Sequence, residues 1–226
     1  MRSTNLSNVT DFRPWPKIPR FNREFVLTEK IDGTNAQVTI KHLADDEDAT
    51  RYLNEHGYSV VSKEDGLYVL RAGSRKRWIA PNRQKLDGTQ ALDNFGFAAW
   101  VADNATALAN LGEGTHFGEW YGRGIQHGYG MDGRKFALFN TTRWGTRGQG
   151  LPEESPAELT VVPELARVRG HLLNEAIRDS MRLLRTLGSV AEPGAKAEGI
   201  VVYSVEANQC YKVLLENDDI PKGMAA

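Results

Sequence analysis

The chain has almost no cysteine and no long apolar run, and its charges nearly cancel. Cys210 is the single cysteine among 226 residues, which excludes an internal disulfide and a cysteine-rich zinc site and indicates a reducing compartment. No apolar stretch reaches the roughly 20 residues that cross a bilayer, and the N-terminus lacks a signal-peptide core. The formal net charge of −1 argues against a protein that coats nucleic acid nonspecifically. We therefore expect a cytoplasmic protein with no membrane partner.

The composition is otherwise that of an ordinary globular domain. The apolar and charged fractions and the length suit one hydrophobic core that needs neither disulfides nor structural metal. We expect residues 1–226 to form a single domain that begins with an irregular arm of about two dozen residues. Because only residues 216–226 follow the last predicted strand, we expect no C-terminal accessory domain.

Short β-forming segments separated by turn residues dominate the chain. They predict strands over 25–30, 35–40, 58–61, 67–71, 115–121, 136–141, 199–205 and 210–215. Residues 32–34 and 64–66 supply the first two turns. Helical spacing of apolar residues predicts one helix over 97–111, ended by Gly112, and another over 172–187, ended by Gly188. This pattern indicates an α+β domain of antiparallel sheets with flanking helices.

A lysine stands where the first predicted strand meets its polar turn, in Lys30-Ile31-Asp32-Gly33-Thr34-Asn35. Strand ends beside glycine-containing turns are places where rigid scaffolds hold reactive groups. Lysine is a poor nucleophile at neutral pH because its reference pKa is about 10.4, but desolvation and nearby cations favour the neutral amine. On this motif alone, a reactive lysine and a surface lysine beside a hairpin turn are about equally well supported.

Other short motifs follow the lysine in a fixed order. They are Gly73-Ser74-Arg75, Phe117-Gly118-Glu119-Trp120-Tyr121-Gly122, Phe136-Ala137-Leu138-Phe139, Ala197-Glu198-Gly199-Ile200-Val201-Val202 and Tyr211-Lys212-Val213. In order and spacing the set resembles the covalent nucleotidyltransferase superfamily of DNA ligases, RNA ligases and mRNA capping enzymes. The segment from Gly118 to Gly122, followed by Gly124-Ile125-Gln126, is most similar to the phage and RNA-editing branch of RNA ligases.

This resemblance implies a nucleotidyltransferase fold, similar to that of ATP-grasp ligases, and an ATP-dependent RNA ligase activity. It implies that Lys30 attacks the α-phosphate of ATP, expels pyrophosphate and carries AMP. The AMP then passes to a 5′-phosphate end, and a 3′-hydroxyl displaces it. The implied cofactors are ATP and Mg²⁺ or Mn²⁺. The implied partners are nucleic-acid ends, RNA first and nicked duplexes among them, with a helper protein for substrate clamping.

The resemblance also assigns charged side chains to the phosphates, the ribose and the metal. Lys212 matches a catalytic lysine that contacts the α-phosphate. Arg75 matches an arginine that contacts the nucleotide and the 5′-phosphate end, where a planar fork of donors suits phosphate, and Arg71 is its rival. Glu119 matches a glutamate that binds ribose hydroxyls; a buried structural carboxylate is the alternative. Glu198 matches an acidic residue that binds the metal.

Three further residues are assigned to the adenine and the turn. Phe139 matches an aromatic residue that stacks on adenine, although a phenylalanine in a strand belongs by default to the core. Glu29 precedes the nucleophile and is assigned to the adenine amino group. Asn35 either orders the turn or contacts phosphate.

The chain departs from the family pattern after Lys212, where many members have a second lysine and this sequence has Leu214. Lys196 or Arg77 are candidates to replace it. A DNA ligase of the same chemistry and a binding module that has lost sealing remain alternatives. A capping enzyme is less favoured, and a purely structural protein would require every motif to be a coincidence.

Two other groups of polar residues carry no assigned chemistry. The histidines, including His116 and His127, show no metal-ligand spacing and are interpreted as structural. Six basic residues form a cluster that by itself is typical of a solvated loop. They are Arg71, Arg75, Lys76, Arg77, Arg83 and Lys85.

Overall fold

Short strands and a few helices alternate along the chain. The computed structural model describes residues 14–44, 49–55, 57–81, 93–216 and 218. Along these, the elements are β1 (Glu24–Lys30), β2 (Thr34–His42), α1 (Thr50–Asn54), β3 (Tyr58–Lys63), β4 (Gly66–Ser74), α2 (Phe97–Asp103), α3 (Ala105–Leu108), β5 (Gly114–Gly122), β6 (Arg134–Leu138), α4 (Thr141–Trp144), β7 (Leu159–Val161), β8 (Glu164–Arg169), α5 (Leu173–Leu187), β9 (Gly199–Ser204) and β10 (Gln209–Leu214). Short 3₁₀ helices cover Asn94–Gly96, Ala109–Leu111, Gly128–Gly130 and Gly170–Leu172.

A small sheet carries the first strand. Its order is β10-β9-β1-β8, with every pairing antiparallel. Alternate residues of its strands are apolar on one face, and there Phe25, Leu27, Ile200 and Val202 form a buried cluster with α5. Because side chains alternate across a strand, Lys30 lies on the opposite face, away from α5. The small sheet thus buries one face and leaves the other for the site.

A large sheet carries the second strand. Its order is β3-β4-β2-β5-β6-β7; only the pairing of β6 with β7 is parallel. Its core face is covered by α2 and α3, where Val38, Leu70 and Phe136 pack with Phe97 and Leu108. Full burial of side chains of this size contributes about 1.5–3 kcal/mol each. Antiparallel sheets with flanking helices confirm the predicted α+β class.

The turn after Lys30 is not a hairpin turn. It joins β1 of the small sheet to β2 of the large sheet, so the predicted turn is present but crosses between sheets. Gly33 makes this crossing sterically feasible, because a Cβ there would lie 2.5 Å from the Trp120 carbonyl oxygen and 2.9 Å from Glu119 Cγ. Only glycine allows the crossing to lie this close to β5.

Two predicted elements are shorter in the structure than the sequence indicated. The helix predicted over 97–111 is broken at Asn104, which has non-helical dihedrals and whose side chain donates to the Trp100 carbonyl (2.9 Å). Asparagine competes with the helix in this way through its own side-chain hydrogen bonds. The strand predicted to reach Thr141 ends at Leu138, since the Asn140 side chain accepts from the Arg143 amide (3.0 Å) and starts α4.

Two strands were not predicted at all. β7 has three residues, and Pro163 separates it from β8. β8 is an edge strand whose alternating positions include charged residues, and Arg167 pairs with Glu24 and Glu164 (2.7 and 2.8 Å). Charged side chains are common on edge strands and hide the apolar alternation that identifies a strand.

Some predictions concern residues beyond those described. The irregular arm is seen from Pro14 to Arg23, without regular structure, whereas residues 1–13 lie outside the described part. Arg83, Lys85 and residues 219–226 also lie outside it. No helix among the described residues is both long and apolar enough to cross a membrane.

Candidate active site

The predicted nucleophile and the predicted metal-binding carboxylate are in contact. Lys30 Nζ donates to Glu198 Oε2 although 168 positions separate them in sequence. The sheet register explains the contact, because Lys30 is paired with Gly199, the residue after Glu198. Their side chains are 23% and 21% exposed, so the pair is shielded but reachable from solvent. The structure therefore brings these two predicted residues together.

Glu119 faces this pair from the large sheet. It is paired with Asn35 across β5 and β2, so the two side chains lie on one face of that sheet. Burial raises the pKa of Glu119 to about 7; the positive charges of Lys30 and Arg75 oppose the rise, and the negative charges of Glu198 and Asp32 add to it. These charge effects indicate that both sheets contribute to one polar cluster. The cluster contains Glu119, Lys30, Arg75, Glu198 and Asp32.

A cavity of about 580 Å³ opens beside the cluster. The segment before β9 and the end of β10 line one wall, with Lys196, Glu198, Lys212 and Leu214 among them. Neither lysine of this wall forms a hydrogen bond or an ion pair within the described part of the chain, so both ammonium groups are available to an anion. Of the two candidates to replace the missing lysine at position 214, only Lys196 lines this cavity. Arg77 lies in the turn after β4.

The opposite wall contains a histidine that the sequence analysis interpreted as structural. His127 Nδ1 donates to Asp32 Oδ2 (2.5 Å), and its ring centroid lies 4.1 Å from that of Tyr129. Tyr129 in turn accepts from the Asp32 amide (2.7 Å) through its hydroxyl, and its burial raises its pKa. All three residues line the cavity. No sequence signal identified His127, because its partner is 95 positions away.

The other histidine considered, His116, is structural as predicted. It is buried, its Nε2 lies 3.0 Å from the Gly112 carbonyl oxygen, and burial lowers its pKa. It lies on the core face of β5, away from Glu119.

Glu29 occupies the face of β1 opposite to Lys30. It is buried, and its Oε2 accepts from the amides of Val190 and Ala191 (2.8 and 2.9 Å). Its Oε1 is buried without a hydrogen-bond partner among the described residues. The carboxylate therefore anchors the segment that leads from α5 towards the cavity wall at Gly194, while one oxygen remains available to a donor.

Phe139 lies just beyond β6, on the same face of the large sheet as Glu119. Its side chain is 41% exposed, and its amide donates to the Phe117 carbonyl (2.9 Å). Phe136, by contrast, is packed in the core against Phe97. The default interpretation of Phe139 as a core residue was therefore wrong, because the strand ends before it.

Arg75 and its rival Arg71 have different surroundings. Arg75 is exposed just after β4, and its positive charge opposes the rise in the pKa of Glu119. Arg71 donates to the Tyr58 hydroxyl (2.7 Å) and lies over the rings of Tyr58 and Trp78 at 4.4 and 5.0 Å. The geometry favours Arg75 as the residue free to contact a phosphate.

The cluster offers carboxylates for a divalent cation without forming a complete cage. No group of three or more metal-binding side chains occurs among the described residues. Mg²⁺ is usually held by one or two carboxylates together with phosphate oxygens and water. Glu198, with Asp32 and Glu119 nearby, fits that type of site.

Comparisons with known proteins identify a family and a fold. The RNA ligase family model matches residues 23–214, while no curated protein matches the sequence significantly. The fold is similar to that of a Naegleria gruberi RNA ligase variant solved with ATP and Mn, at 15% identity and a TM-score of 0.50, over 87% of this chain and 51% of that one. The same organism's RNA ligase with PPi matches at 16% identity and a TM-score of 0.47, over 85% and 50%. The chain thus spans about half the length of these solved structures. Because the family model covers most of its residues, the chain belongs to the RNA ligase family.

Proposed function

We propose that this chain is an ATP-dependent RNA ligase that carries AMP on Lys30. The observation that supports it most is the meeting of Lys30, Glu119 and Glu198 at the crossing between the two sheets. The adjoining cavity adds two unpaired lysines that suit a triphosphate. Phosphoryl transfer depends mainly on positioning and on neutralisation of charge, and this arrangement provides both.

In the first step the neutral Lys30 amine attacks the α-phosphorus of ATP. A nitrogen–phosphorus bond forms, the bond from the α-phosphorus to the bridging oxygen breaks, and pyrophosphate leaves. Lys212 contacts the α-phosphate and stabilises the charge that develops there. Lys196 supplies the second ammonium that Leu214 cannot, close to the leaving pyrophosphate. Both lysines line the same cavity wall, which supports this division of roles.

The nucleoside lies between the cavity and the exposed face of the large sheet. Glu119 accepts hydrogen bonds from the ribose hydroxyls, for which a carboxylate has enough acceptor sites. Phe139 stacks on the adenine. Asn35, paired with Glu119, orders the turn beneath them. Glu29, buried on the face of β1 opposite to Lys30, contributes by anchoring the Val190 and Ala191 amides rather than by contacting the base.

A divalent cation fits at Glu198. Mg²⁺ or Mn²⁺ bound there would neutralise phosphate charge and would favour the neutral form of the neighbouring amine. Glu198 itself holds Lys30 in place before the nucleotide binds.

In the later steps the AMP leaves Lys30 for a 5′-phosphate end held by Arg75. The terminal phosphate oxygen attacks the AMP phosphorus, and the nitrogen–phosphorus bond breaks. A 3′-hydroxyl then attacks the 5′-phosphate, and AMP departs. Arg75 is exposed beside Glu119, a location that supports contact with an incoming strand.

The first test is covalent labelling with ATP that is radioactive at its α-phosphate. We expect label on the native protein, no label on Lys30→Ala, and none on Lys30→Arg, which keeps the charge near Glu198 but is not nucleophilic. Lys41→Ala, on the large sheet, serves as the matched control and should label normally. Label on Lys30→Ala at the native level would refute the assignment.

The second test is sealing of nicked duplexes that carry RNA or DNA on the 3′-hydroxyl side. We expect faster sealing with RNA. Faster sealing with DNA would identify a DNA ligase of the same chemistry, and labelling without sealing of either would identify a module that has lost this step.

A further inference from the structure

The exposed face of the large sheet carries a row of three aromatic side chains, two of which the proposed adenylylation step does not use. Phe117 is paired with Gln37, Gln37 with Gly73, and Gly73 with Trp78. Phe139 continues the row beyond Phe117, since its amide donates to the Phe117 carbonyl. Paired residues in antiparallel strands present their side chains on the same face. Phe139, Phe117 and Trp78 are therefore aligned; we call these three residues the aromatic row.

All three members of the aromatic row are open to solvent. Phe139, Phe117 and Trp78 are 41%, 53% and 47% exposed. Single exposed aromatics are ordinary on protein surfaces, but an aligned set is not. With neighbouring strands about 4.8 Å apart, four spacings separate Phe139 from Trp78, so the row extends roughly 19 Å across the sheet. The row passes roughly 7 Å from the Glu119 position, which lies two residues along β5 from Phe117.

Trp78 is exposed to solvent, and a neighbouring arginine packs against its ring. Arg71 covers one side of its ring at 5.0 Å, and Arg71 is fixed by its hydrogen bond to the Tyr58 hydroxyl. On its other side the Gln37 side chain lies over Gly73, where a Cβ would be only 2.6 Å from the Gln37 amide nitrogen. A base bound between Trp78 and Phe117 would therefore rest on the Gln37 amide rather than on the backbone of the sheet.

A basic turn precedes Trp78 and so borders that end of the aromatic row. Arg75, Lys76 and Arg77 are all exposed, and the turn is closed by a hydrogen bond from the Ser74 amide to the Arg77 carbonyl (2.8 Å). No aspartate or glutamate occurs from Gly66 to Pro81, and none of the three cations forms an ion pair with another described residue. We call these three residues the basic turn. Its charge is complementary to a phosphate backbone.

We propose that the aromatic row and the basic turn bind a single-stranded stretch of the polynucleotide whose end is being joined. Bases stack on Phe117 and Trp78, and the phosphates follow Lys76 and Arg77 towards Arg75 and Lys30. Sheet-face aromatics beside cations are how many proteins bind unpaired nucleotides, whose bases are free to stack. The inference rests on the proposed ligase function and names the surface that its substrate uses.

The test measures binding and adenylylation separately. The probe is a short 5′-phosphorylated oligouridylate with a fluorophore at its 3′ end, and fluorescence anisotropy gives its affinity. We expect Trp78→Ala and Phe117→Ala each to weaken binding by about tenfold, the loss of one stacked base. Trp78→Phe, which keeps a ring, should bind nearly as the native protein does. Phe95→Ala removes an aromatic of similar exposure outside the row and is the matched control.

Salt dependence distinguishes the two parts of the surface. Loss of two phosphate contacts in the double variant Lys76→Ala, Arg77→Ala should reduce the slope of log affinity against log salt by about 1.4. Trp78→Ala should leave that slope unchanged. Native affinity in Trp78→Ala, or an equal loss in Phe95→Ala, would overturn the inference.

Adenylylation keeps the two proposals apart. Trp78→Ala should accept AMP from ATP at the native rate, since Trp78 lies at the far end of the row. If the native protein binds the RNA but never accepts AMP, the ligase proposal fails. If it accepts AMP and Trp78→Ala binds RNA as well as the native protein, only the aromatic row fails.

Discussion

Glu119 should make the nucleotide-free protein less stable as pH rises, and Glu119→Gln should remove that dependence. Burial raises the pKa of Glu119 from an ordinary 4.5 to about 7 in the folded protein. The group therefore contributes its full stability below pH 4.5 and loses it as pH rises through 7, because the unfolded chain ionises more readily. Linkage between these two values gives a loss of roughly 2–3 kcal/mol in the free energy of unfolding from about pH 5 to about pH 8.

Urea unfolding without nucleotide, followed by intrinsic fluorescence, measures this free energy at both pH values. The native protein should lose roughly 2–3 kcal/mol more than Glu119→Gln over the interval, because glutamine cannot ionise. Glu113→Gln is the matched control, since Glu113 is exposed next to the same strand and is not desolvated by folding. Parallel pH profiles for the native protein and Glu119→Gln would show that the fold does not desolvate this carboxylate.

Two further substitutions test the cavity and its anchor. Lys212→Ala should slow single-turnover adenylylation by roughly 10²–10³-fold, as expected for loss of a charged contact to the reacting phosphate. Lys196→Ala should slow it by a smaller factor. An unchanged rate in both variants would show that the cavity takes no part in the reaction. Glu29→Ala should lower the free energy of unfolding by about 1–3 kcal/mol, because the Val190 and Ala191 amides lose their buried acceptor. Thermal unfolding compared with Glu175→Ala, an exposed glutamate, checks this, and equal stability of the two variants would contradict it.

The elements that sequence identifies well are those whose signal is local. β1 contains the run of β-formers Phe25-Val26-Leu27-Thr28, and α5 shows apolar residues on one side with Gly188 at its end. β8 was missed because charged residues interrupt its apolar alternation, and Arg167 is accommodated by an ion pair with Glu24 on the neighbouring strand β1. That reason depends on neighbours that are distant in sequence, so no local pattern could reveal it.

The same distinction separates the predictable from the unpredictable residues of the site. The motifs around Lys30 and Glu198 could be found because each is a continuous segment. Their contact follows from the pairing of Lys30 with Gly199. This strand register could not be derived from the lengths of the segments between the motifs. His127 was missed because it belongs to no recognisable motif, although its partner Asp32 lies in the motif that begins at Lys30.

The crossing between the sheets explains why a lysine, an aspartate and a glycine stand so close together in this chain. Lys30 is the last residue of β1, so its side chain lies at the end of the small sheet where the chain crosses to the large sheet. Gly33 lets the backbone pass against Trp120 and Glu119, and any larger residue would push β5 away from the crossing. The distance between Lys30 and Glu119 is therefore set by the backbone itself. Asp32 forms hydrogen bonds with His127 and Tyr129 and so fixes the crossing in that position, which means that the short motif specifies a backbone geometry as well as a lysine.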